Sequence, residues 1–292
     1  MKDFRIALVA HKSPLGKISA NLSAIEDWVR RAARKKADLV CLPELSISGH
    51  GGHAAMIQEP EPVPSGESVE RLSVLASDLN VYICAGIAEL EGSATYNTQF
   101  IVGPRGYVGK QRKVHLSGDE YFLFRGGTEI PVFDLPFAKV GIVICYDNLF
   151  PEMARCCTLE GAEVVLATHA ARFGPWPKSV EGRRKKVASL KDQWRTVHKC
   201  RAYENRLYVG LCNTVGRSAQ GLNGVEANHA GGCMLVGPDG QVLAESRSCD
   251  VAEEMIVTNL KAEPLHKARN QECYSIRTRR VDAFGALTRK TT

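Results

Sequence analysis

A cysteine, a glutamate and a lysine stand out among the 292 residues because each lies in or just past a strand-forming run. Cys145 ends KVGIVIC and is followed at once by a turn and a helical pattern, YDNLFPEMAR. A thiol at the tip of a buried strand, beside the first N–H groups of a helix, is placed to be a nucleophile, with its thiolate stabilised and its pKa lowered. A lone cysteine is more often plain core; here two further segments argue otherwise. Glu44, in VCLPELSISG, follows the short apolar run 37–42, and Lys113, in KQRKVHL, lies in a strand read over 107–116. Side chains just past buried strands point into the crevice where α/β proteins hold their ligands. Singly, Glu44 is a solvated loop acid and Lys113 a surface charge. Together with Cys145 they form a Glu, Lys, Cys constellation, fit for nucleophilic catalysis if one cavity holds all three.

The elements that must position them alternate between helix and strand. Ile18, Leu22, Ile25, Val29 and Ala32 recur at helical intervals, as do Val69, Leu72, Leu75 and Leu79, so each set marks a helix with one face on a sheet. Strands are predicted over 81–88, 94–103, 107–116, 131–135 and 139–145, several joined by Gly/Pro turns such as GPRG. A helix from Pro151, a strand over 163–167, a long helix over about 180–203, a strand over 206–213 and a hairpin turning at PDGQ follow. Pattern alone yields mixed α/β.

Composition points to a reduced, water-soluble enzyme. The chain is 44% hydrophobic, enough for a sizeable core, and no Pro-, Gly- or Ser-rich linker divides it, so residues 1–292 read as one domain. The opening MKDFRIALVAHKSP has only a short apolar stretch broken by Arg5, which predicts neither a signal peptide nor a membrane span. Ten cysteines, with Cys41, Cys84, Cys212 and Cys233 in apolar runs and none in CxxC spacing, suit reduced thiols of a cytoplasmic protein and supply no zinc site. The net charge is +6, and Arg183, Arg184, Lys185 and Lys186 cluster in GRRKKVASLK. With 7% aromatic residues and no nucleic-acid module, that run reads as a solvated face or a subunit contact.

In order, FRIALVA, the segment with Asn21 and Leu22, ADLVCLPE, KVHL, VGIVICYDNLFPEMAR, RAYENRLYVGLCN and GGCMLVGPDGQVLAE resemble the nitrilase, or carbon–nitrogen hydrolase, superfamily nearly end to end. The resemblance implies a four-layer αββα sandwich. It also implies subunits paired into an eight-layer homodimer or higher homo-oligomer, and chemistry that needs neither metal nor cofactor. It casts Glu44 as general base, Lys113 as oxyanion stabiliser, Cys145 as nucleophile and Glu120, in SGDEYFLFRGG, as a second glutamate that positions Lys113 or the substrate nitrogen. The backbone N–H of Tyr146 would complete the oxyanion site.

Amide hydrolysis explains the need for such a set: a strong nucleophile for a poor electrophile, a proton for a poor leaving group, and donors for the oxyanion. Tyr146 and Asp147 follow the cysteine where nitrilases proper usually carry Trp and Glu, which resembles the amidase and carbamoylase branches. Small amides and N-carbamoyl compounds are therefore the expected substrates, nitriles the alternative, and a silent binding or assembly protein a further one. Amino-acid carbamoylases often place arginines where this chain has Asn148 and Leu149, which argues against N-carbamoyl amino acids unless Arg172 supplies the charge. His169, Arg172, Phe173 and Trp176, in THAARFGPWPKS, are read as a pocket wall. GHGGHAA, with His50 and His53, is read as a mobile lid near Glu44, and residues from about 262 to 292 as an arm across a partner subunit.

Overall fold

The structure, a computed structural model, describes residues 1–220, 226–247 and 251–289. β1 (Phe4–Ala10), α1 (Ile18–Arg34), β2 (Leu39–Cys41) and α2 (Glu67–Leu79) lead into β3 (Tyr82–Glu91), β4 (Ala94–Gly103) and β5 (Gly106–Arg112). Then come β6 (Val132–Asp134), β7 (Lys139–Ile144), α3 (Pro151–Leu159), β8 (Val164–His169) and the two-residue β9 (Arg172–Phe173). α4 (Val180–Asn205), β10 (Tyr208–Asn213), β11 (Val215–Gln220), β12 (Glu226–Ala230), β13 (Cys233–Val236), β14 (Val242–Glu245), β15 (Glu254–Leu260) and α5 (Ala262–Arg269) follow.

Two six-stranded sheets, ordered β15-β1-β2-β3-β4-β5 and β14-β13-β10-β8-β7-β6, pack face to face. Strand alternation builds the layers. Ile6 and Leu8 of β1 meet Val140, Ile142 and Leu166 between the sheets, while Ala7 and Val9 face Leu22, Ile25 and Leu72 of α1 and α2. On the second sheet Val143, Val165 and Leu211 turn outward onto Met153, Val187 and Trp194 of α3 and α4. The result is an αββα sandwich whose central strands are buried on both faces, which is why they read as continuous apolar runs.

This topology gathers the chemistry at one end. β1, β2 and β3 are parallel, as are β7, β8 and β10. β5 runs in the same sense as β3 because β4 is antiparallel to both. The carboxyl ends of β2, β5, β7 and β8 therefore lie on the same rim, and Glu44, Lys113, Cys145 and Ala170 come just past them.

The helix read from Pro151 begins there: the 3-10 turn Cys145–Leu149 follows β7, and α3 opens on Pro151, whose fixed φ suits a first helical turn. At the C-terminal end, Leu265 of α5 belongs to the inter-sheet core and Arg269 donates to the carbonyls of Arg206 and Ala162. The chain stays on its own body through Tyr274, 8% exposed, and only beyond it do Val281 and Leu287 stand out, at 67% and 63%. No helix among the described residues is long and apolar enough to cross a membrane.

Candidate active site

Lys113 is the hub. Its ammonium lies 2.6 Å from Glu44 Oε1 and 2.8 Å from both oxygens of Glu120, with all three side chains essentially sealed from water. Burial by itself would depress the lysine, but the charges of Glu44 and Glu120 outweigh it and hold the ammonium above its ordinary range. Burial would likewise raise Glu120, and the Lys113 charge and His50 overcome that and hold the carboxyl below its usual range. Glu120 is fixed by a capping box in the 3-10 turn Gly118–Phe122, where its Oε2 accepts the N–H and hydroxyl of Ser117 at 2.9 and 3.0 Å. Glu44, His50 and Glu120 hold their ligand atoms within 4.8 Å of one another, as a metal site would, but the cation the two carboxylates grip is Lys113.

Glu44 reaches this point through a close backbone approach. A Cβ on Gly86 of β3 would lie 2.4 Å from the Leu45 nitrogen, so only glycine lets the Glu44 turn close over the strand. Gly86→Ala is expected to displace that turn and cut kcat by about 10- to 100-fold, on the scale set by a misplacement of about 1 Å. A crystal structure of the variant with Glu44 unmoved, or a wild-type kcat, would contradict this.

Cys145 sits at a sharp elbow with φ of +47°, a conformation rare for a side chain larger than glycine's hydrogen. Asn148 braces it, donating to the carbonyls of Cys145 and Val143 at 3.1 Å. The Ala170 N–H donates to Glu44 Oε2 at 2.7 Å and also faces the Cys145 sulfur, which puts acid and thiol on one donor. The expected lowering of the thiol pKa is not found. Desolvation, then the nearby Glu44 charge, push the Cys145 thiol up against the pull of Lys113. The helix end expected to stabilise a thiolate begins six residues too late to help.

The flanking residues divide. Tyr146 is 37% exposed and packs edge-on to Phe150, with its N–H directly after Cys145. Arg172, on β9, pairs with β12 in a small third sheet, and its guanidinium lies 3.5 Å from Asp119, against Gly52 of the glycine-rich loop. That loop is packed rather than open at His50, 5% exposed. The side chains of His169 and Phe173 turn toward α4 instead. His169 Nε2 lies 3.3 Å from His198 Nε2, and burial first, then His198, holds His169 well below its ordinary value. Phe173 packs with Val187 and Trp176. From the wall read over this segment, the Ala170 main chain is what meets Glu44. The basic run lies on exposed turns of α4, with Lys185 paired to Glu181 at 2.8 Å.

Asn97 was missed. Its Nδ2 donates to Glu44 Oε1 at 2.8 Å and Glu120 Oε1 at 3.0 Å, tying the two carboxylates together. The signal was a fully buried amide in the strand ATYNTQFIVG, where an apolar residue is expected.

With this geometry in view, the comparisons are specific. The family model described as carbon-nitrogen hydrolase matches residues 5–270. A "Nitrilase" of Pyrococcus abyssi is 33% identical over 91% of this chain and 92% of that protein. An "N-carbamoylputrescine amidase" of Arabidopsis thaliana is 28% identical over 92% of this chain and 90% of that one. Saccharomyces cerevisiae Nit3, described as a member of branch 10 of the nitrilase superfamily, superposes with a TM-score of 0.76 at 26% identity, covering 95% of this chain and 97% of its own.

Proposed function

The chain belongs to the carbon–nitrogen hydrolase family, and from that premise we propose that it hydrolyses the C–N bond of a small linear amide or N-carbamoyl compound through a thioester on Cys145. The observation that carries the reading is the buried Lys113 ammonium, held by two carboxylates beside the Cys145 elbow. Glu44 takes the thiol proton as sulfur attacks the carbonyl carbon. The oxyanion that forms is held by Lys113 and the Tyr146 N–H, each such donor contributing about 3–4 kcal/mol. Glu44 returns the proton to the nitrogen, the C–N bond breaks and ammonia or an amine leaves. Water, deprotonated by Glu44, then attacks the thioester and frees the acid and the thiol. Glu120 positions Lys113 through both its oxygens.

The same reading takes residues 1–292 as one hydrolase domain, cytoplasmic and paired with copies of itself, which size-exclusion chromatography with light scattering tests. Nitriles remain a second reading because the Pyrococcus abyssi relative is described as a nitrilase. Ammonia release from aliphatic amides, aryl amides, N-carbamoyl amines, N-carbamoyl amino acids and nitriles decides between them; release from nitriles alone would reverse the ranking.

Arg172 belongs to the same proposal as the group that grips an acidic substrate tail. Its pairing with Asp119 at 3.5 Å is long enough to be exchanged for a substrate carboxylate. Arg172→Ala is expected to raise KM for acidic amides about 10- to 100-fold and leave neutral amides within about twofold. An equal loss for both classes would show that Arg172 only braces the loop.

A further inference from the structure

The loop after β5 and the turn after β7 meet at one buried carboxylate. Asp147, two residues beyond Cys145, is 0% exposed and accepts the backbone N–H groups of Val114 and His115 at 3.1 and 2.7 Å. It also accepts the His115 ring Nδ1–H at 2.8 Å. Those donors belong to the two residues directly after Lys113. The His115 ring lies flat on Phe150, with centroids 3.7 Å apart and planes 9° from parallel, and the Phe150 N–H donates to the Asp147 carbonyl at 3.1 Å. Arg201 of α4 caps the same turn at the carbonyls of Asn148 and Leu149. Lys113 is therefore held at its head by Glu44 and Glu120, and the chain behind it is tied to the Cys145 turn by Asp147.

We propose that Asp147, with His115, is a positioning residue that fixes the Lys113 ammonium and the Cys145 sulfur relative to one another. The proposal rests on the reading of Cys145 as nucleophile and Lys113 as oxyanion donor. Two features separate Asp147 from an ordinary loop acid. Its burial pushes the carboxyl up, a cost that a solvated acid avoids, and the His115 N–H and ring and the Val114 N–H counter only part of it. Its geometry is also selective for a carboxylate. Three N–H groups converge on two oxygens, and an asparagine would turn an NH₂ toward a donor, loosening the tie without emptying the space. Glutamate would push the two turns apart by a methylene.

The test separates oxyanion stabilisation from sulfur reactivity. Alkylation of Cys145 by iodoacetamide forms no oxyanion, so it reads the sulfur and its base, whereas amide turnover needs Lys113 in place as well. Asp147→Asn is expected to lower kcat for an amide substrate by about 30-fold, with KM within about twofold and the alkylation rate within about threefold of wild type. His115→Ala, at a ring one-third exposed and therefore safe for folding, is expected to show the same split at about fivefold. It serves as the deciding variant if Asp147→Asn does not fold. Turnover and alkylation falling by the same factor, or an unchanged kcat in the folded variants, overturns the proposal. Turnover by Cys145→Ala would instead overturn the reading beneath it, so the two failures are told apart.

Discussion

Cys145→Ala is expected to lower kcat/KM for the preferred amide by about 10 000-fold or more, because the proposed thioester forms on its sulfur. The fold should survive. The side chain is small and only partly buried, and the strained elbow at φ of +47° is held by Asn148 through main-chain carbonyls that alanine retains. Substrate binding should therefore persist, with a Kd near the wild-type KM if chemistry is slow in the native enzyme. Steady-state ammonia release from the purified variant, with a thermal melt to confirm folding, checks this. Activity above about one per cent of wild type would mean that catalysis does not pass through the sulfur.

Lys113→Met is the second large effect, and it reaches stability as well as rate. Methionine fills the space but leaves Glu44 and Glu120 without their cation, joined only through the Asn97 amide. Activity is expected to fall about 1000-fold, the upper range for loss of an oxyanion donor. Breaking a buried ion pair on one side costs about 3–5 kcal/mol. The sign of the pH dependence follows from linkage. In the variant the burial of Glu120, no longer countered by the Lys113 charge, raises that carboxyl in the folded state, so the folded state binds more protons and stability is lost as pH rises. In the native protein Glu120 is held below its usual range, so its contribution is present above the unfolded pKa and lost only on acidification. The gap between variant and native protein should thus be wider at pH 8 than at pH 5, as read by urea unfolding. An equal gap at both pH values would show that the carboxylates are not coupled through Lys113.

The strands that deliver Glu44 and Cys145 were legible because both faces are buried, which forces continuous apolar runs that stop where the chain leaves the core, whereas β5, which delivers Lys113, is a half-exposed edge strand marked by alternating basic residues. β4 matches its expected span of 94–103, since every residue from Asn97 to Gly103 is buried. Other features had no local signal. β15 pairs with β1 across most of the chain, Phe4 against Leu260, so its place at the sheet edge is purely tertiary. β9 is two residues long and exists only through its pairing with β12, too short for any periodicity to announce. The direction of the Cys145 pKa depended first on the desolvation of the sulfur and then on the nearby Glu44 charge, neither of which spacing encodes. Asp147 was visible only as the residue following Tyr146; its tie to Val114 and His115 appears once the two turns are brought together.

The central claim is that acyl transfer goes through Cys145 with Glu44 and Lys113 at hand. Acid quenching during turnover of a slowly hydrolysed amide, followed by intact mass and peptide mapping, tests it most directly. The account predicts a mass increase equal to the acyl group, on the peptide carrying Cys145 alone, and none in Cys145→Ala. An adduct on another residue, or turnover with no adduct under conditions where deacylation is rate-limiting, would contradict it.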